Sequence, residues 1–207
     1  MIHSLQILDD AADVTRVFVL DPVGLHQGRQ LGFSRATIVD ADDHARVIAF
    51  VESQGVFIGD VPAGLPTFDD DPVLHVEDSP DLPPLWRVFG GSRRDDGHWT
   101  LPELSVELAS ADAALHIGPQ HVILEAAAVD LAAEITGTDR LQVLSKTVMH
   151  LARGKEGPFR VDGTASRGRD GSGRVGVQLT LHDEGSADRN VTSAAFVFRP
   201  SGSVRRT

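Results

Sequence analysis

The clearest periodic segment of the chain is Val122 to Ile135, in which Leu124, Ala127, Ala128, Leu131 and Ile135 recur at helical spacing. Val122, Ala126, Val129 and Ala133 make a second apolar stripe on the far side. A helix apolar on nearly every side is a buried one, and its alanines allow a sheet to approach the backbone closely. Gly137 is the expected stop. The rest of the pattern is strand-like. Thr15 to Leu20, Gly32 to Val39 and Arg46 to Phe57 are rich in β-branched and aromatic residues. With a turn over Asp40 to His44, and Gly24 to Gly28 closing the other end, they predict a meander of three or four antiparallel strands. Trp99 to Leu108 predicts a strand that breaks at Ser110-Ala-Asp112 before Leu115 to His121 leads into the helix. Leu141 to Ala152, Phe159 to Ser166, Arg174 to His182 and Val191 to Phe198 then predict a closing meander with Gly-rich or acidic turns. The class is α+β.

Between these blocks the periodicity lapses. From Val61 to Pro84 the chain is acidic and proline-rich, which predicts a linker over 61–84. It separates a strand-only part, 1–60, from a fuller unit, 85–200, that ends in a frayed tail, 201–207. The two meanders echo each other: Gly32 to Val39, an Asp-rich turn and Arg46 resemble Gly176 to Leu181, an acidic turn and Asn190. The shift of roughly 140 residues is a weak internal repeat, far longer than a solenoid period.

Composition narrows the function classes. With 207 residues and 41% apolar content the chain can bury a real core. It has no cysteine, which excludes disulfides, thiolate metal sites and cysteine nucleophiles and fits the cytoplasm. No run of roughly 20 apolar residues is present, and the start lacks a basic region followed by an apolar one, so neither membrane insertion nor export is expected. The formal charge of -11, with only small basic clusters such as Arg93-Arg94, excludes a nucleic-acid partner. A 5% aromatic content without tyrosine argues against a large aromatic-lined pocket. No nucleophile elbow or phosphate loop is found.

A strand, one long Ala-rich helix and a strand meander resemble the hotdog superfamily, a curled antiparallel sheet around a buried helix. Gly118-Pro-Gln-His121 leading into the helix resembles its phenylacetyl-CoA thioesterase branch, in which a His-Gly-Gly turn starts the helix and an acidic residue follows about two turns in. On that resemblance His121 takes the histidine position and Asp130 the acidic one. Val122 and Ile123 replace the two glycines, which puts the oxyanion-binding turn in question. The resemblance covers Trp99 to Pro200 as a whole domain and Ser4 to Gly59 as the strand portion of a helix-less second copy, a double hotdog. It implies sites between copies, and sheets paired edge to edge as a homodimer or larger.

Thioester hydrolysis needs a carboxylate, donors for the developing oxyanion and a slot for the acyl chain. Asp130, alone in an apolar helix, is the candidate carboxylate, and its presence calls for a reason because burying it ionised is costly; the structural alternative is that it caps a loop or pairs with an arginine such as Arg140 or Arg153. His121 and Glu125, one helical turn apart, form a candidate acid–base couple or a surface pair at the helix entrance. His116 and Gly118 in the turn, with Arg153 and Lys155 beyond the next strand, are candidate substrate contacts, the basic pair toward coenzyme A phosphates or merely in a solvated turn. No spacing matches a metal motif, and no cofactor is expected beyond coenzyme A as part of the substrate. The expected function is acyl-CoA thioester hydrolysis. The alternative is a non-catalytic hotdog that binds acyl-CoA or a hydrophobic ligand, or acts as an assembly partner.

Overall fold

A computed structural model describes residues 1–56, 79 and 81–201. The expected linker falls largely, and the expected tail almost wholly, outside the described residues. The elements run β1 (Ile2–Ile7), β2 (Val17–Gln27), β3 (Leu31–Asp40), β4 (Val47–Val56), α1 (Leu85–Val88), β5 (Ser92–Arg93), β6 (Trp99–Leu101), α2 (Ile117–Thr136), β7 (Leu141–His150), β8 (Phe159–Arg167), β9 (Val175–Asp183) and β10 (Arg189–Pro200). All ten strands form one antiparallel sheet in the order β2-β3-β4-β1-β7-β10-β9-β8-β6-β5. The order β2-β3-β4-β1 repeats, in mirrored sequence, as β8-β9-β10-β7. β1 and β7 join these halves, Ile2 facing Met149 and Gln6 facing Ser145.

α2 packs mainly on β8 and β9 of the C-terminal half. Its His116 caps the first turn by accepting the Gly118 N–H, and Gly137, at φ 75°, ends it in the left-handed conformation that glycine takes most readily. Ile123, Leu124, Ala128 and Ala132 are fully buried against Phe159, Val177, Leu181, Phe196 and Phe198. The helix comes so close at Gly163 that an added methyl would press on Leu179 and Leu131. Gly163→Ala is therefore expected to cost about 2 kcal/mol, seen as a lower urea midpoint at unchanged slope.

Three local expectations need correction. The helix begins at Ile117, not Val122, because Pro119 sits in the first turn, where its missing N–H breaks no helical bond. The strand expected over Trp99 to Leu108 stops at Leu101, before Pro102, and the chain then turns. Gly24 to Gly28 is not the closing turn: β2 runs on through bulges between Leu20 and Val23 and between Gly24 and His26, so that the tight turn falls at Gly28–Gln30.

Sheet register sets the inward rows. His3, Val148, Ala194, Leu179 and Gly163 lie directly opposite one another across five strands and share a face. His150, Thr192, Leu181 and Val161 make the next row on that face, under the start of α2.

Candidate functional site

The second apolar stripe of α2 is not buried as expected. Val122, Ala126 and Val129 wall an open cleft of about 710 Å³, with Trp99 on one side and Leu85 and Trp86 of α1 beside it. Both tryptophans of the chain thus meet here, at a centroid distance of 5.0 Å, against the expectation of a pocket poor in aromatics. His121, Glu125, Asp130 and Lys146 also line this cleft, so the structure brings the three candidate catalytic residues to one place. His121 and Asp130 stand on opposite margins, half a revolution apart in angle and about 13 Å along the helix axis.

Asp130 is clasped through one oxygen. The Trp99 indole N–H donates to Oδ2 at 2.8 Å, and Arg93 Nη1 lies 3.3 Å from the same atom. No hydrogen bond reaches Oδ1 among the described residues. The arginine partner is therefore Arg93, not Arg140 or Arg153, and Arg153 pairs with Asp112 at 3.1 Å. Glu125 does not couple to His121; it takes a 2.8 Å hydrogen bond from Lys146, which reaches across from β7. A salt bridge across elements overrides the local i,i+4 pairing here.

His121 turns to the sheet instead. Its Nε2 lies 3.3 Å from Nε2 of His150, and the two rings stack at 5.4 Å. His3 of β1 meets both edge-on at 5.7 Å, its Nε2 buried without a hydrogen-bond partner among the described residues. On the far side His150 Nδ1 is 3.1 Å from Oε1 of Gln120, an oxygen that also accepts from the buried Thr192 hydroxyl. Gln120 Nε2 donates to the Leu115 carbonyl at 2.7 Å. Burial drives both His121 and His150 down to about 4, helped by Lys146 beside the first and by His121 beside the second. Burial, then the chain's terminal ammonium group, lowers His3 as well. His121 and His150 are therefore neutral at pH 7.

A second cavity of about 680 Å³ opens on the other side of this stack, with Gln120 and His150 in its lining alongside His116, Leu115, Asp112 and Arg153. His121 borders the cleft and His150 borders the cavity, so the stacked rings stand between them. The other candidate substrate contacts already have protein partners. His116 Nδ1 holds the Gly118 N–H at 3.1 Å, and Lys155 Nζ donates to the carbonyls of Asp112 and Ala113 at 2.9 and 2.8 Å. Ile123, which stands in place of a motif glycine, is a fully buried core residue. Among the described residues no group of three or more His, Asp or Glu side chains is arranged to hold a metal ion, and no helix is long and apolar enough to cross a membrane.

Sequence reading overlooked Gln120, His150, Thr192, His3, Arg93, Trp99 and Lys146. A signal for two of them was present in the period of two: His150 shares its side of the strand with Val148, and Thr192 shares its side with Ala194, so both polar groups alternate into the core.

No protein-family model matches the chain, and no curated protein matches its sequence. Solved structures do resemble it. The tesB protein of Mycobacterium avium subsp. paratuberculosis superposes with a TM-score of 0.58 at 13% identity, over 97% of this chain and 78% of that one. The acyl-CoA thioesterase II TesB2 of Mycobacterium marinum gives 0.57 at 15% identity, over 98% of this chain and 80% of that one. At such identities the likeness is one of architecture. Over nearly its whole described length, the chain has the hotdog fold seen in solved thioesterase structures.

Proposed function

We propose that this protein hydrolyses an acyl thioester of the acyl-CoA type in the cleft along α2. The observation that carries the reading is Asp130, held through one oxygen by Trp99 and Arg93 at the margin of an apolar cleft and with its second oxygen free of partners among the described residues. Asp130 Oδ1 takes a proton from water as the water oxygen attacks the thioester carbonyl. The Lys146 ammonium, in the same cleft, offsets the negative charge that develops on the carbonyl oxygen. Collapse of the adduct breaks the C–S bond, and the thiolate leaves with the proton from Asp130. The acyl chain lies against Val122, Ala126, Val129 and Trp86.

The test is thiol release from short, aromatic and long-chain acyl-CoAs. Asp130→Asn is expected to lower kcat by about a hundredfold or more while ligand binding persists. Unchanged turnover in that variant would remove Asp130 from the reaction. A second reading, an acyl-CoA-binding hotdog without turnover, draws on a specific feature: the first turn of α2 has few free donors, since Gly118 N–H is capped and Pro119 has none. Tight binding with no thiol release from the wild type would favour it.

We further read β1–β4 as a second hotdog copy without its helix, a reading supported by the mirrored strand order. Exposed Phe18, Phe33 and Phe50 on that half support assembly into a homodimer or larger, and a chain without cysteine suits the cytoplasm.

A further inference from the structure

The stacked histidines hold an arrangement that the hydrolysis scheme leaves unused. The Gln120 side chain has one orientation, because its Nε2 donates to the Leu115 carbonyl and Oε1 must then face Thr192 and His150. An amide oxygen can only accept. His150 therefore carries its proton on Nδ1, and its Nε2 bears a lone pair. That lone pair lies 3.3 Å from His121 Nε2, so this second nitrogen is the one that donates. His121 is left with its lone pair on Nδ1, which no group among the described residues engages, on a side chain that borders the cleft.

We propose that Thr192, Gln120 and His150 form a buried positioning relay that fixes neutral His121 with its proton on Nε2, so that His121 Nδ1 is offered to the cleft as a hydrogen-bond acceptor. The surroundings hold the ring neutral. Burial and the ammonium group of Lys146 oppose protonation, and the carboxylate of Glu125 is already paired with Lys146. The group accepted is an amide N–H or hydroxyl of the bound molecule. Resting on the acyl-CoA reading, this is an amide of the pantetheine arm, held at the His121 margin while the thioester lies toward Asp130. His121 is thus a specificity contact, and Gln120, His150 and Thr192 act through it.

Long-range proton–nitrogen NMR of imidazole-labelled wild type at pH 7 reads both tautomers without any activity. The expected pattern is a neutral His121 protonated on Nε2 and a neutral His150 protonated on Nδ1. A charged His121, or one protonated on Nδ1, overturns the relay. For the contact itself, His121→Phe is expected to raise KM for an acyl-CoA about tenfold with kcat little changed, and to leave KM unchanged for the same acyl group on ethanethiol, which has no amide. An equal rise on both substrates overturns the contact. If the wild type shows the expected tautomers but hydrolyses no thioester, the hydrolysis reading fails alone. The Kd of coenzyme A, measured by calorimetry on wild type and His121→Phe, then decides the contact by the same tenfold criterion.

Discussion

Asp183→Ala is expected to lower the unfolding free energy by about 4 kcal/mol. The carboxylate is wholly buried and accepts four backbone N–H groups: Lys155 at 2.7 Å and Glu156 at 3.2 Å on Oδ2, Gly157 at 2.8 Å and Ser186 at 3.2 Å on Oδ1. It ties the β7–β8 loop to the end of β9, and that loop in turn receives Leu104 N–H on the Glu156 carbonyl. Alanine would leave these donors dry and unpaired. Burial acts to raise the Asp183 pKa, but the N–H groups of Lys155, Gly157 and Glu156 outweigh it and hold the carboxyl below its ordinary value. This contribution is complete at neutral pH and disappears as pH falls through that depressed native pKa. Urea denaturation at pH 7 measures it. A loss under 1 kcal/mol would mean that water replaces the carboxylate. Asp183→Asn should fall between, since it keeps one acceptor but turns an NH₂ toward donors.

Acidification should weaken the fold earlier, in a window of its own. His121 and His150 titrate near 6.5 when unfolded and about 4 when folded, so between those values the unfolded chain binds more protons. Stability is therefore full above about pH 7, declines as pH drops from 6.5 toward 4, and stops declining on this account below 4. Both rings keep some solvent contact, so the expected loss is about 2 kcal/mol for the pair, less than the two shifts taken at face value. Chemical denaturation at pH 7 and pH 4.5 shows it directly. The double variant His121→Gln, His150→Gln should flatten the difference between these two pH values. An unchanged slope in the variant would assign the acid sensitivity to carboxylates instead.

The long helix and both meanders were legible because each is a run of residues whose period is set locally. Pro119 misled because proline is read as a breaker, although it is harmless in a first turn. His121, Glu125 and Asp130 were legible as polar exceptions on an apolar helix. Their partners were not: Lys146, Arg93 and His150 lie 21, 37 and 29 residues away from Glu125, Asp130 and His121, and only the folded sheet brings them there. The far stripe of the helix was seen as apolar, but periodicity alone cannot distinguish a face packed by protein from one that walls a cleft.

The β1–β7 seam has a kinetic side. Ile2 and Met149 become neighbours only after the intervening chain has closed on itself, at an entropic cost that is paid before the pair returns any stability. Each half can form its own meander from nearby strands, whereas the seam has to wait for both. His3 belongs to that seam, so the histidine stack is complete only when the two halves of the sheet are joined.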